Sequence, residues 1–144
     1  MEQLLEFISN HPLLVTAAVV TGTLLIYNEV RAAGQGRFNI SPDQAVRLMN
    51  SGAAVFDVRS PEAYMTGHLA GAKNLPVDDI AAQAESYKRF RNKPVIAYCE
   101  KTMSSQRAVA RLRQAGFEQV FNLRGGLAAW REEHLPLQKP KGKS

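Results

Sequence analysis

The sequence predicts an α/β protein with a mainly parallel central sheet, covered by helices on both faces and preceded by one transmembrane helix. Two observations support this prediction. From residue 41 onwards, short apolar segments alternate with helix-like segments, as in parallel sheets whose strands are joined and covered by crossover helices. An uncharged apolar stretch lies before them, near the N-terminus. The length of 144 residues leaves room for one domain of ordinary size and a short appendage.

The N-terminal region is predicted to be a transmembrane helix over residues 7–29, after a short flank at residues 1–6. No Lys, Arg, Asp or Glu occurs between Phe7 and Asn28, and about 20 mostly apolar residues suffice to cross a hydrocarbon core. A secretory signal peptide and a buried core helix are the alternatives. A signal peptide begins with positive charge, whereas this start is acidic. A core helix usually carries a polar stripe, and none is visible here.

Charge is distributed unevenly along the chain. All 18 Lys and Arg residues lie after residue 30, and the charged residues before that point are all acidic. Lys and Arg concentrate on the cytoplasmic side of a membrane span, and Arg31 and Arg37 directly follow this one. The N-terminus is therefore predicted to lie outside, with the C-terminal domain in the cytoplasm.

The elements of the C-terminal domain follow in order. A glycine-containing flexible linker is predicted at residues 30–37. A helix then starts with Ser41 as N-cap, Pro42 at the first position and Gln44 three residues after the cap, and it ends at Gly52. Beyond it, the pattern predicts strands at 53–58, 72–75, 94–98 and 119–123, and helices at 61–65, 78–90, 104–114 and 127–133. The folded domain is predicted to span residues 38–137, and the basic tail at 138–144 to be disordered because it lacks apolar residues.

Cys99 is the one cysteine of the chain, so an intrachain disulfide is excluded and no metal site is predicted. It directly follows a predicted strand and precedes a predicted helix, and ligands tend to bind beyond the carboxyl ends of parallel strands. The N–H groups at a helix start favour thiolate, the nucleophilic form of cysteine. Lys101 would add to this effect, and Glu100 would oppose it. Alternatively, Cys99 is a small apolar residue that closes the strand. These residues alone leave both interpretations open.

Five motifs in order bear on this choice. They are FDVRSPEAY at 56–64, GHLAGAKNLP at 67–76, PVIAYC at 94–99, AGF at 115–117 with VFNL at 120–123, and GGLAAW at 125–130. Together they resemble the rhodanese-like domain family over residues 38–137. With its apolar helix, the chain is similar to the small, membrane-anchored, single-domain members found in bacterial inner membranes. The resemblance implies a sulfurtransferase in which Cys99 takes sulfur from a donor such as thiosulfate. Cys99 would hold the sulfur as a persulfide and pass it to a thiol acceptor, without a metal or an organic cofactor.

The resemblance also implies that the residues after the cysteine form the persulfide-binding loop: Glu100, Lys101, Thr102, Met103, Ser104 and Ser105. Active family members commonly carry C-x-x-G-x-R-[ST], but here Thr102 replaces the glycine and Ser104 replaces the arginine. Loss of a fixed cation weakens the binding of an anionic donor. Activity with thiosulfate is therefore expected to be weak or redirected to another donor. Lys101 or Arg107 could replace that cation in part, but the sequence places neither.

The sequence also bears on the residues around the site and on other possible functions. Asp57 and Arg59, at the end of a predicted strand, are expected to support the site as an ion pair or a helix cap. A related phosphatase would need an arginine six positions after Cys99, where Ser105 stands. Nucleic-acid binding is not expected, because the basic residues are scattered. The competing function is a scaffold at the membrane that docks a membrane protein and in which Cys99 is idle.

Overall fold

The computed structural model describes residues 1–36 and 38–140, with the backbone alone for residues 35, 36 and 102. The chain divides into two compact units, Met1–Arg37 and Phe38–Ser144. The first unit consists of helices and the second contains a parallel sheet. The fold class predicted from the sequence is therefore confirmed.

The N-terminal unit contains two helices, α1 (Glu2–Asn10) and α2 (Pro12–Gly36). They are separated at His11, whose φ of −131° and ψ of 57° are not helical. Proline has no N–H to donate to the preceding turn and its ring clashes with it, but it is well suited to the first position of a helix. The predicted single helix over residues 7–29 is therefore wrong at its start, because Pro12 begins a new helix.

Helix α2 also extends further than the sequence predicts. It runs through Gly36, so the flexible linker predicted at 30–37 is wrong for residues 30–36, and Arg37 lies outside the described residues. Ala32 and Ala33 are strong helix formers, and they offset the cost of the glycines that follow. Within α2, the stretch Pro12–Gly34 has 23 residues and a mean hydropathy of 1.6, and none of it is buried. By length and composition, this helix is able to cross a membrane.

Two threonines interrupt the apolar stretch of α2. Thr16 Oγ1 donates to the carbonyl oxygen of Pro12 at 2.8 Å, and Thr23 Oγ1 donates to that of Val19 at the same distance. An unpaired hydroxyl is costly in hydrocarbon, but both of these are satisfied within their own helix. The threonines are therefore compatible with a lipid environment.

The C-terminal unit is built on a five-stranded sheet in the order β1-β5-β4-β2-β3, with every pair of neighbours parallel. The strands are β1 (Asn39–Ile40), β2 (Ala54–Asp57), β3 (Lys73–Asn74), β4 (Pro94–Tyr98) and β5 (Gln119–Leu123). Strand β1 was not among the predicted strands, because two residues are too few to show an alternating pattern. It lies at the sheet edge and pairs with β5.

The helices of this unit are α3 (Pro42–Asn50), α4 (Pro61–Thr66), α5 (Ile80–Gln83), α6 (Thr102–Gln114) and α7 (Gly126–Glu132). Ser41 and Gln44 form the predicted capping box at the start of α3. The segment predicted as a helix over 78–90 is α5 flanked by 3₁₀ turns at Val77–Asp79 and Ala84–Phe90. Helix α6 begins two residues before the predicted 104–114, so it starts closer to Cys99.

Hydrophobic cores lie on both faces of the sheet. Side chains of β4 alternate between them: Val95 and Ala97 face one core, and Ile96 and Tyr98 the other. The first core is completed mainly by α5 and α6, and the second by α3, α4 and α7. Because both faces are covered, the strands read as continuous apolar runs in the sequence, as buried parallel strands do.

The chain beyond α7 remains attached to the domain through Gln138. The N–H of His68 donates to the carbonyl oxygen of Gln138 at 2.8 Å, and the N–H of Gln138 donates back at 2.7 Å. The predicted disorder of 138–144 is therefore wrong at Gln138, while residues 141–144 lie outside the described chain. The error arises because backbone hydrogen bonds, rather than apolar side chains, hold this residue.

Candidate active site

A cleft of about 670 Å³ opens beside the carboxyl ends of β2 and β4. Three segments line it: the chain after β2 at 58–63, the 3₁₀ turn at 76–79, and the chain from Cys99 into the first two turns of α6. This placement follows from the parallel sheet, since strands of the same direction deliver their following loops to one edge. Of the residues predicted for the site, Cys99, Glu100, Ser104 and Arg59 line the cleft.

Cys99 is partly exposed and directly follows β4. One side of it packs against the core that contains Val95 and Ala97, and it also lines the cleft. This position agrees with both interpretations that the sequence left open. The thiol has an apolar neighbourhood on the sheet side and access to solvent on the cleft side.

Helix α7 fixes the backbone of the loop that follows Cys99. The N–H of Leu127 donates to the carbonyl oxygen of Cys99 at 2.9 Å, and the N–H of Ala128 donates to that of Glu100 at 3.2 Å. This approach requires glycine at position 126, which has a φ of +59°. A Cβ there would lie 2.8 Å from the carbonyl oxygen of Glu100 and closer still to that of Cys99.

The orientation of these carbonyls determines where the loop N–H groups point. In a trans peptide the C=O and the N–H point in opposite directions, so the N–H groups of Glu100 and Lys101 point away from α7. Within the described part of the chain, neither N–H donates a hydrogen bond to the protein. The first turn of α6, from Thr102 onwards, adds further N–H groups without helical partners. Together these donors give the loop the polarity that stabilises an anion.

Three of the remaining residues of the predicted loop, Lys101, Met103 and Ser105, are not brought into the cleft. Lys101 and Met103 are exposed and lie outside its lining, and Ser105, in the first turn of α6, is fully buried. The backbone of Thr102 begins α6, and its side chain is outside the described part of the structure. Ser104 is thus the cleft-lining residue of the first turn of this helix.

Asp57 and Arg59 form a buried ion pair behind the loop. Arg59 Nη2 lies 2.6 Å from Asp57 Oδ2 and donates at 2.6 Å to the carbonyl oxygen of Gly67. The Tyr98 hydroxyl donates to Asp57 Oδ2 at 2.8 Å. Burial opposes the charge on Arg59, but the hydrogen bonds and the charge of Asp57 raise its pKa. Burial and the negative charge of Asp57 raise the pKa of Tyr98. The ion pair therefore has a fixed position between β2, β4 and the turn at Gly67.

Glu100 connects this buried pair to α7. One of its carboxylate oxygens lies 3.4 Å from Arg59 Nη1, and the other pairs with Arg131 Nη1. The sequence expectation was that Glu100 would oppose a thiolate at position 99. In the structure its charge is balanced by two guanidinium groups, so this opposition is weakened.

His68 and Tyr64 lie outside the cleft and stabilise the turn at Gly67, which contacts Arg59. Their rings stack with centroids 4.0 Å apart, and His68 Nδ1 lies 3.2 Å from the carbonyl oxygen of Tyr64. The Tyr64 hydroxyl donates to the carbonyl oxygen of Ala72 at 2.7 Å.

Across residues 1–36 and 38–140, no three His, Cys, Asp or Glu side chains are grouped so that they could hold a metal ion.

Charged residues that the sequence did not place also line the cleft, namely Arg107, Asp78 and Asp79. Arg107 follows Ser104 by three residues, so the two share a face of α6. From that spacing, the sequence could have predicted that Arg107, rather than Lys101, lies in the cleft together with Ser104. The aspartates could not have been placed, because they reach the cleft from a separate segment whose position depends on the order of the strands.

Comparisons with known proteins agree with this geometry. The model of the rhodanese-like domain family matches residues 41–133. The uncharacterized protein YibN of Escherichia coli (strain K12) is 32% identical over 98% of this chain and 100% of its own length. Thiosulfate sulfurtransferase GlpE of Pseudomonas paraeruginosa is 37% identical over 64% of this chain and 82% of its own.

Solved structures share the fold. The rhodanese-like domain of the Alr3790 protein from Anabaena sp. superposes with a TM-score of 0.64 at 28% identity, covering 74% of this chain and 87% of that one. A full-length protein from Lactobacillus plantarum gives a TM-score of 0.66 at 20% identity, covering 78% and 97%. The family model matches most of the C-terminal unit, including Cys99 in the cleft at the carboxyl ends of β2 and β4. The chain therefore belongs to the rhodanese-like domain family.

Proposed function

We propose that the protein is a membrane-anchored sulfurtransferase that carries sulfane sulfur as a persulfide on Cys99. The observation that carries this proposal is the position of Cys99, which lines the cleft at the end of β4 and precedes the N–H groups of Glu100 and Lys101, neither of which donates to another described residue. The name of the GlpE relatives, thiosulfate sulfurtransferase, supports the same class of reaction.

The reaction has two steps. The Cys99 thiolate attacks the sulfane sulfur of a donor such as thiosulfate, a new sulfur–sulfur bond forms, and the donor's own sulfur–sulfur bond breaks. Sulfite leaves with the bonding electron pair, and total charge is conserved because thiosulfate and sulfite are both dianions. An acceptor thiolate then attacks the outer sulfur of the persulfide. The acceptor leaves as a persulfide and the Cys99 thiolate is regenerated, so no external oxidant or reductant is needed.

The loop contributes electrostatic stabilisation to both steps. The N–H groups of Glu100 and Lys101 and the first turn of α6 supply fixed donors for the negative sulfur of the thiolate and of the persulfide. Fixed donors need no reorganisation when the charge moves from one sulfur to the next. Helix α7 holds them in place through the carbonyl groups of the same peptides.

The anchor is proposed to be α2, placed in a bacterial inner membrane with the C-terminal domain in the cytoplasm. The length and hydropathy of Pro12–Gly34 support a span, and Arg31 at its end supports this orientation. Protease treatment of inverted and right-side-out vesicles tests it. The domain should be cut only in the inverted vesicles. Cleavage in right-side-out vesicles, or loss of the first 30 residues by signal processing, would contradict the proposal.

Sulfur transfer is tested on the full-length chain in detergent. Wild type incubated with a sulfane donor should gain the mass of one sulfur atom on the peptide that contains Cys99, and should then release it to a thiol. Cys99→Ser should do neither. Equal sulfide release by the two proteins would contradict the proposal.

A scaffold role is the second candidate, and one observation favours it. Ser104 lines the cleft where active relatives commonly have arginine, so the cleft lacks the usual cation at that position. In that case the domain would dock a membrane protein and Cys99 would be idle. Equal sulfide release by wild type and Cys99→Ser, together with binding of a membrane protein by both, is the result expected for this role.

A further inference from the structure

Most charges around the cleft are already paired within the protein. Arg59 is held by Asp57 and Glu100, and only 5% of its side chain is exposed. Glu100 is held by Arg59 and Arg131. Asp78 Oδ1 lies 3.1 Å from Arg111 Nη1. Each of these groups therefore already has a partner of opposite charge, although only Arg59 is buried, while Glu100 is half-exposed and Asp78 is exposed.

Two opposite charges remain. Arg107 and Asp79 both line the cleft and both are exposed. Within the described chain neither forms an ion pair, either with a third residue or with each other, so their charged atoms are more than 4.0 Å apart. The cleft that contains Cys99 thus also presents a cation and an anion that do not pair with each other.

A ligand that carries both charges would fit this arrangement better than a simple anion. Thiosulfate is a small dianion, and it would meet the Asp79 carboxylate as well as the Arg107 guanidinium. Like charge across a site is a means of excluding a wrong partner. The volume of about 670 Å³ is also in the range of pockets that enclose organic ligands.

Building on the function proposed above, we propose that the sulfur donor is the persulfide of an amino-acid thiol, with Arg107 binding its carboxylate and Asp79 its ammonium group. The Cys99 thiolate attacks the outer sulfur of the donor persulfide, and the donor's sulfur–sulfur bond breaks with its electron pair on the inner sulfur. The proton of the donor persulfide passes to the departing thiolate, which leaves as a thiol. Atoms and charge balance, and Cys99 becomes the persulfide anion.

The test uses three donors with the full-length protein in detergent: cysteine persulfide, the persulfide of 3-mercaptopropionate, which lacks the ammonium group, and thiosulfate. The variants are Asp79→Asn and Arg107→Gln. Glu118→Gln and Lys93→Gln serve as matched controls, because both are exposed charges at the opposite, amino ends of β5 and β4. The fluorescence of Trp130, the one tryptophan, verifies that each variant is folded.

Asp79→Asn is expected to raise KM for cysteine persulfide about three- to fivefold, as for an exposed ion pair, and not to raise KM for the desamino persulfide, which is an anion without an ammonium group. With thiosulfate the same variant should lower KM, because a repulsive charge is removed. Arg107→Gln should raise KM for all three donors. In each case kcat should change little, and the controls should match wild type.

Equal effects of Asp79→Asn on the two persulfides, or no effect of Arg107→Gln, would overturn the inference while leaving the proposed function intact. The proposed sulfurtransferase function is tested separately, by the loss of sulfur transfer in Cys99→Ser. Turnover by Cys99→Ser equal to that of wild type, or no transfer from any donor by wild type, would overturn both.

Discussion

Replacement of Gly126 by alanine should destabilise the domain and misplace the loop that carries Cys99. Gly126 has a φ of +59°, and an added Cβ would lie 2.8 Å from the carbonyl oxygen of Glu100. The left-handed backbone costs about 1 kcal/mol for a residue other than glycine. The contact with rigid backbone adds about 1–3 kcal/mol, as for other overpacked sites. The expected loss is therefore about 2–4 kcal/mol.

Gly71→Ala is the matched control for this change. Gly71 has a similar φ of +71°, but a Cβ there would have no atom within 4 Å, so it carries the backbone cost of about 1 kcal/mol alone. Urea unfolding of the full-length protein, followed by the fluorescence of the buried Trp130, measures both variants. Sulfur transfer should fall much more in Gly126→Ala, because its clash displaces the peptides that we propose stabilise the sulfur anion. Equal stability and equal activity of the two variants would refute the reasoning.

Three further outcomes are expected. Burial and Asp57 raise the pKa of Tyr98 above its ordinary 10.0, so the stability supplied by its protonated form is complete below about pH 10 and is lost as pH rises further. The unfolding free energy of Tyr98→Phe should fall less steeply than that of wild type between about pH 9 and pH 11, and parallel slopes would contradict this. Arg59→Ala should cost about 3–5 kcal/mol, since it leaves the Asp57 carboxylate buried without a cation, and adding Asp57→Asn should restore part of the loss. An unchanged urea midpoint in Arg59→Ala would be inconsistent with that account. Ser104→Arg puts a cation into the cleft lining and should lower KM for thiosulfate about threefold or more; no change in KM would show that position 104 does not meet the donor.

Much of the fold could be predicted from the sequence because its signals are local. Strand β4 is read from the apolar run 94–98, and the start of α3 from Ser41, Pro42 and Gln44. Each of these residues determines its own conformation through burial on both faces or through a capping hydrogen bond. Cys99 could be placed for the same reason, since it is adjacent in sequence to the end of a strand.

The features that the sequence did not place depend on distant partners. Gln138 is held by the backbone of His68, and nothing in its own neighbourhood signals this. Asp79 and Arg107 line the same cleft because the segments that follow β3 and β4 lie at the same end of the sheet. Pro12 lies inside the single helix predicted over residues 7–29, although its ring favours the start of a new helix. Pair contacts of this kind follow from topology rather than from periodicity.

The dependence of the Cys99 loop on α7 has a consequence for the order of synthesis. Within the described residues, the carbonyl groups of Cys99 and Glu100 accept hydrogen bonds from Leu127 and Ala128, which are synthesised later. A growing polypeptide therefore exposes its thiol on the ribosome well before the peptides around it are fixed. Cys99 acquires its final surroundings only after Leu127 and Ala128 have been synthesised, so fragments that end before these residues carry a loop without the two hydrogen bonds.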